Sequence, residues 1–286
     1  MGLAVRVLPS LPATTKAPRL DTWGLILLSP ALAGLFYGVS MIGSRTAYPI
    51  LQIIIPVIVG ILCLILYIVH ALTTPRSPLI DIRLLHIRSF SAAILIQLMF
   101  GFSLFGSLLV LPLFYQDVRH QTALMAGILL APQGIGALAA RWVVGHNIEE
   151  FGIRNWSVIG VVAVALGTLP FSLVGGHAPE WLLATSLIIR GAGLSTVVIA
   201  VSVGVYRDVP AHAVASASSM SEIIQQLGGA VGSEVLALIL AESLHHISPF
   251  QAVRAYEHTL WWSIVFLSAI LIPSLWLPRQ SPRVSD

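Results

Sequence analysis

Long apolar stretches, each close to the length of a membrane crossing, recur along this chain and are separated by short polar segments. A helix needs about 20 mostly apolar residues to cross the hydrocarbon core of a bilayer. The stretches are continuous rather than alternating, which argues against barrel strands. Eight of them approach the required length, at 22–44, 49–72, 89–116, 122–145, 156–175, 180–206, 214–244 and 259–278. The sequence therefore predicts an all-α, polytopic helical membrane protein.

Composition supports this class and excludes a soluble domain. Hydrophobic residues make up 57% of the chain and charged residues only 9%, and the mean hydropathy is +0.91. Soluble domains carry charge on about a quarter of their residues. No soluble core hides so much apolar surface.

The longest charged connection, residues 74–88, divides the chain. It can form a short amphipathic segment at the membrane surface that includes Leu79, Ile82, Leu85 and His86, with Arg83 and Arg88 near headgroups, or a solvated basic loop. The sequence leaves both interpretations open. The predicted organisation is a cytoplasmic tail at 1–21, a two-helix hairpin at 22–73, a cytoplasmic linker at 74–88, a six-helix unit at 89–278 and a cytoplasmic tail at 279–286.

The distribution of Lys and Arg predicts the orientation, because these residues are enriched in cytoplasmic segments. With the N-terminus inside, three basic residues fall in outer loops, at Arg45, Arg119 and Arg254. Inner segments carry Arg6, Lys16, Arg19, Arg76, Arg83, Arg88, Arg141, Arg154, Arg207, Arg279 and Arg283. Both termini are predicted to be cytoplasmic in an inner (plasma) membrane. The pI near 9.4 reflects this bias and does not indicate nucleic-acid binding.

The seventh stretch is the richest in polar groups, which mark pathways or helix contacts inside a membrane. Helical spacing places them on one predicted face: Ser218, Glu222, Gln225, Gln226, Gly229 and Ser233. Glu222 is a candidate proton or cation-coupling site, or else a carboxylate that is hydrated or paired with an arginine. Gly228 and Gly232 form a GxxxG pattern that favours close helix packing.

Arg190 lies inside the sixth stretch, in LIIRGAGLS. An isolated arginine at that depth costs about 2.5 to 3.5 kcal/mol even on insertion scales, so it needs a partner or water. Glu222 and Glu234 are candidate partners. Substrate pairing and a structural salt bridge are both consistent with the sequence, and Gly191 and Gly193 favour close packing beside the arginine.

Two glutamines are further candidates for the substrate or proton pathway. Gln133 follows Pro132, which removes a backbone donor and can kink the helix, so a polar site can form there. Gln97 in the third stretch is a weaker candidate, better explained by an interhelical hydrogen bond. Together with Arg190, Glu222, Gln225 and Gln226, these residues are the predicted pathway.

Signals for other chemistry are poor. The chain has no Walker loop and no HExxH motif, so neither ATP hydrolysis nor zinc-protease activity is indicated. His245 and His246 stand without further ligands at metal spacing, and the single Cys63 builds no disulfide framework. The expectation is therefore a protein that is not an enzyme, with no metal and no cofactor beyond the proton gradient.

Five segments in a fixed order carry a family resemblance: PLIDIRLLHIRSF, LLVLPLFYQDV, AGILLAPQGIGALAARWVVG, LIIRGAGLS and ASASSMSEIIQQLGGAVGSEVL. In this order they resemble the second half of the fourteen-span drug:proton antiporters of the major facilitator superfamily. The resemblance implies that the first two spans are the extra central hairpin of that group. The other six are then its C-terminal six-helix bundle.

The resemblance also implies a gating loop at Gly145, Glu149, Gly152 and Arg154. The family's pattern there is roughly Gly-Arg-x-x-Asp-Arg-x-Gly-x-Arg. Glu149 keeps the carboxylate, but His146 and Glu150 stand where the family has arginines.

The expected function is part of a secondary active transporter, embedded in the lipid bilayer, that couples protons to export of small amphipathic or drug-like molecules. Such transporters need two six-helix halves, so the chain is expected to be incomplete alone. Its partner would be a separate N-terminal half or a second copy of itself. The alternatives are a non-transporting membrane scaffold or the remnant of a truncated transporter gene and, less favoured, a polytopic membrane enzyme.

Overall fold

The computed structural model describes residues 21–43, 50–73, 80–174, 176–245 and 252–277. Some predicted features lie outside these ranges: the tails up to residue 20 and from residue 279, residues 74–79 of the linker, and His246. The described chain is built from helices joined by short turns. The helices are α1 (Thr22–Gly43), α2 (Ile50–Thr73), α3 (Arg88–Leu113), α4 (Ala123–Leu130), α5 (Pro132–Phe151), α6 (Ile153–Leu173), α7 (Glu180–Tyr206), α8 (Val214–His245), α9 (Ala252–Ser268) and α10 (Leu271–Ser274).

Membrane-length segments dominate this architecture. The first predicted stretch, 22–44, corresponds to the 22-residue helix α1, within which Thr22–Gly38 counts as a shorter apolar helix. Seven segments of the described chain are long and apolar enough to cross a bilayer: Ile54–Thr73, Arg88–Val118, Ala123–Ile148, Ile153–Leu173, Glu180–Tyr206, Val214–Leu244 and Ala252–Ser274. The predicted all-α, polytopic membrane class is confirmed.

The turn between α5 and α6 differs from the predicted gating loop. Gly145 and Glu149 both belong to α5, and Arg154 lies in the first turn of α6. The connection is the single residue Gly152, whose φ of 78° suits glycine because it has no Cβ. The predicted end of the fourth stretch at residue 145 was therefore too early.

The described part of the linker packs against protein. Ile82–His86 forms a 3₁₀ turn in which Leu84 is buried and Leu85 is 40% exposed. The Ile80 N–H donates to the Tyr67 hydroxyl oxygen of α2 at 2.7 Å. This hydrogen bond holds the start of the described linker against the C-terminal part of α2.

The hairpin is joined to the six-helix unit. Helix α1 packs along α2 and also contacts α8. The Asp21 carboxylate lies 3.0 Å from His70 Nε2 and connects the start of α1 to the end of α2. The Asp81 N–H donates to Ser216 Oγ of α8 at 2.5 Å. Because of these contacts, the hairpin is not an isolated appendage.

Close backbone approach organises the six-helix unit. Helix α7 packs between α5 and α6, α3 packs along α8, and α9 contacts α3, α6 and α8. A Cβ at Gly228 would lie 2.0 Å from the Leu98 carbonyl oxygen, and one at Gly232 would lie 2.2 Å from that of Phe102. The packing role predicted for Gly228 and Gly232 is confirmed, since α3 and α8 can touch this closely only at glycines.

The α3–α8 contact generates a stability prediction. Gly228→Ala should lower the melting temperature of the purified protein in detergent by several degrees, because the new methyl group forces the two backbones apart at a cost of about 1–3 kcal/mol. Gly145→Ala is the matched control, since nothing lies within 4 Å of a Cβ there and alanine favours a helix. Equal melting temperatures for the two variants would contradict the prediction. Intrinsic tryptophan fluorescence during heating measures both.

Candidate functional site

The buried guanidinium of Arg190 is the central feature of the candidate site. Arg190 is only 2% exposed, and its Nη1 donates to Gln133 Oε1 at 2.6 Å. Its Nε is also buried and has no hydrogen-bond partner among the described residues. The predicted carboxylate partners, Glu222 and Glu234, are therefore replaced by a neutral amide.

Glycines bring the helices around this pair together. A Cβ at Gly191 of α7 would lie 1.9 Å from the Gln133 carbonyl oxygen. One at Gly136 of α5 would lie equally close to the Ile188 carbonyl oxygen, and one at Gly167 of α6 would lie 2.6 Å from the Arg190 backbone nitrogen. Helix α7 is thereby fixed between α5 and α6, with Arg190 held against Gln133.

The break between α4 and α5 places Gln133. Pro132 occupies the first position of α5, where its missing N–H is tolerated. Just before it, the Ala131 N–H donates to the Ile128 carbonyl oxygen at 3.0 Å in a tight turn. The kink predicted from Pro132 is confirmed, and it puts Gln133 in the first turn of α5 beside Arg190.

Two cavities meet at this pair, in a crevice flanked by α3 and α5 with α7 as its floor. One, of about 250 Å³, is lined by Arg190, Ser107 and Pro112 among other residues. The other, of about 480 Å³, contains Arg141, about 12 Å further along α5 at 1.5 Å per residue. Gln133 and Gly134 line both cavities. The crevice is thus apolar with a few polar groups, as small-molecule sites commonly are.

The polar residues of α8 share one face of the continuous helix, as predicted, but they have different surroundings. Gln225 accepts a hydrogen bond from Gln97 Nε2 at 2.9 Å, which ties α8 to α3. Glu222 and Gln226 are exposed, and Gln226 Nε2 donates to Glu222 Oε1 at 3.1 Å. The six predicted pathway residues therefore form three separate pairs. The interhelical hydrogen bond expected for Gln97 is confirmed.

The predicted gating residues lie away from the crevice. Arg154 lines a third cavity, of about 730 Å³, with Glu150 and Phe151 at the turn between α5 and α6. Gly145 is exposed on α5. Of these three cavities, none is lined both by Arg190 and by residues of this turn. A gating role for Gly145, Glu149, Gly152 and Arg154 therefore remains a prediction.

One polar cluster was missed by the sequence analysis, which used Arg119 only to assign orientation. The Arg119 guanidinium donates to the Gly176 and Ala178 carbonyl oxygens and to Glu180 Oε1, at 3.1, 2.9 and 2.5 Å. It joins the end of the third span to the start of α7. Its separation of 57 to 61 residues from these partners left no signal in the sequence.

Comparison with known families identifies the class of protein. The profile of the Major Facilitator Superfamily matches residues 18–233, which is more than half of the chain. The chain belongs to the major facilitator superfamily.

Several curated proteins are similar to it. The Multidrug resistance protein B homolog of Mycobacterium tuberculosis is 29% identical over 252 residues, covering 86% of this chain and 47% of that protein. The Multidrug export protein EmrB of Haemophilus influenzae is 26% identical over 266 residues, covering 90% and 52%. The Lincomycin resistance protein LmrB of Bacillus subtilis is 27% identical over 237 residues, covering 81% and 48%. The chain thus spans about half the length of these relatives.

The Arg190–Gln133 contact generates a second stability prediction. Gln133→Leu leaves a buried guanidinium without its acceptor and should cost about 1–3 kcal/mol, seen as a lower melting temperature. The double variant Arg190→Leu/Gln133→Leu should recover part of this loss, because neither polar group then remains buried. Gln226→Leu, which removes an exposed amide, is the control. If Gln133→Leu and Gln226→Leu melt alike, the buried contact is not stabilising.

Proposed function

We propose that this chain contributes a six-helix bundle and a two-helix hairpin to a secondary transporter that exports small amphipathic or drug-like molecules. The observation that carries the proposal is the Arg190–Gln133 pair, buried in membrane-length helices on the floor of a crevice. Intramembrane charges are expensive and commonly mark transport pathways. Membership of the superfamily and the relatives named for drug resistance or export support the same function.

Coupling to protons is the finer part of the proposal. Glu222 is a carboxylate within a membrane-length segment, exposed on α8 and hydrogen-bonded to Gln226. A carboxylate in such a place can take up and release a proton as its surroundings change. We assign the coupling role to Glu222 and the substrate contact to Arg190 and Gln133.

A second six-helix bundle completes the proposed transporter. Alternating access moves two bundles against each other around a site at their interface. The crevice between α3 and α5 opens on the surface of the described bundle, and the relatives are about twice as long as the aligned region. We propose that the second wall comes from a separate polypeptide or a second copy of this chain.

Orientation provides a direct test of the membrane topology. Alkaline phosphatase fused after Asp286 should be inactive, and green fluorescent protein fused there should fluoresce, because the basic segments favour a cytoplasmic C-terminus. Insertion of phosphatase between Gly176 and His177, in the turn before α7, should give activity. An active phosphatase after Asp286 would contradict the proposed topology.

Efflux from a pump-deficient host tests the function. We expect fluorescent amphiphiles to leave the cells faster only when the chain is produced with a partner bundle, such as one encoded by an adjacent reading frame. A protonophore and the Glu222→Gln change should each abolish this efflux.

Arg190→Leu supplies the residue-level comparison. It should reduce efflux at least tenfold at equal membrane abundance, whereas Arg254→Gln, which removes an exposed charge on α9, should not. Full activity of Arg190→Leu would contradict the assigned substrate contact. Proton-dependent efflux by the purified monomer in liposomes would show that no partner is needed.

A further inference from the structure

One hydrogen-bond donor of the Arg190 guanidinium has no acceptor among the described residues. Nη1 is used by Gln133, while Nε is buried without a partner in the described part of the chain. Leaving a buried charged donor unsatisfied costs more than leaving a neutral one. Close backbone packing at Gly167 and Gly191 prevents the arginine from moving away. The packing therefore fixes Arg190 Nε in a position where the described residues provide no acceptor for it.

The two cavities beside Arg190 have a distinctive charge. Arg190 lines one and Arg141 lines the other, and neither cavity has an aspartate or glutamate among its lining residues. The amide oxygen of Gln133 accepts from Arg190, so the Gln133 Nε2 remains a donor on the same wall. The hydroxyl of Ser107, which also lines this cavity, donates to the Ser103 carbonyl oxygen at 2.6 Å. The crevice combines positive charge and the amide donor of Gln133 with apolar walls. The two guanidinium groups would repel a cationic ligand there.

We propose that this crevice binds an amphipathic organic anion, with a carboxylate or similar single negative group at Arg190 and Gln133. The apolar body of the ligand lies against the side chains of α3 and α5, including Leu108 and Leu138. Together the two cavities fall within the range of about 300–1,000 Å³ that small-molecule sites occupy. Export of such anions rests on the proposed transport function, but their binding does not.

The hydrogen bond to Gln133 explains why the site can release its ligand. An internal carboxylate at this position would neutralise Arg190 permanently. The neutral amide instead orients the guanidinium and leaves its charge uncompensated. The anion therefore supplies the missing charge only while it is bound.

A matched pair of probes tests the proposal by binding alone. The anion 4-tert-butylbenzoate and the neutral 4-tert-butylbenzamide have nearly the same shape and differ in charge at neutral pH. Equilibrium dialysis against the full chain in neutral-lipid nanodiscs, with empty nanodiscs subtracted, measures both. We expect the benzoate to bind at least tenfold more tightly than the benzamide. Equal affinities would overturn the proposal.

Variants assign the preference to this site. Gln133→Glu places a carboxylate beside the guanidinium and should abolish the preference for benzoate while Arg190 remains in place. Arg190→Gln should have the same effect, and Arg254→Gln, the exposed-charge control, should bind like the unaltered chain. If Arg190→Gln fails to fold, Gln133→Glu still decides the outcome. An unchanged preference in Gln133→Glu, or an equal loss in Arg254→Gln, would contradict the proposal.

Binding and transport can fail separately. Benzoate binding without efflux in the presence of a partner bundle would keep the anion site and refute the export function. Efflux without any binding preference for the anion would support the export function and refute the anion site.

Discussion

Backbone-to-backbone contact between helices sets the geometry on which the rest of this bundle depends. Lipid gives helices no hydrophobic reason to associate, so close packing must provide the attraction. Gly228 and Gly232 bring α8 against α3, while Gly136, Gly167 and Gly191 hold α7 between α5 and α6. The second group also positions Arg190 beside Gln133. The contacts that stabilise the bundle therefore also position Arg190, which among the described residues has the one deeply buried guanidinium.

Charge is distributed unevenly within the described helices. The crevice has Arg190 and Arg141, whereas Glu222 lies exposed on α8 with Gln226 as its partner. At the ends of the helices, carboxylates have direct polar partners: Arg119 pairs with Glu180, and His70 Nε2 lies 3.0 Å from the Asp21 carboxylate. Charged groups at the ends of the helices thus have nearby partners, whereas the charge of Arg190 inside the bundle has no carboxylate partner among the described residues. Desolvation makes an uncompensated charge most costly there. This contrast supports a functional explanation for Arg190.

The length of the apolar stretches and the spacing of the glycines could be interpreted from the sequence because each is a property of a single helix. They predicted the helical class and a close helix contact at Gly228 and Gly232, although not that α3 is the partner, and Pro132 predicted the kink before α5. The partner of Arg190 was not predictable, since Gln133 and Glu222 are both within plausible reach when helix rotation is unknown. A rotation of one residue, about 100°, separates Gln225, bonded to α3, from the exposed Gln226. The end of the fourth stretch was predicted too early because the polar residues after Gly145 are typical of a loop, whereas α5 continues to Phe151.

The hydrogen bond between Arg190 and Gln133 also has a genetic consequence. Glutamine codons differ from glutamate codons only in their first base, so one nucleotide change turns the amide into a carboxylate of nearly the same shape. Because the side chains already touch, no rearrangement of the helices would be needed to form an ion pair. A single point mutation is therefore enough to abolish the charge preference of the crevice. Selection by a changing chemical environment can act on it in a single step.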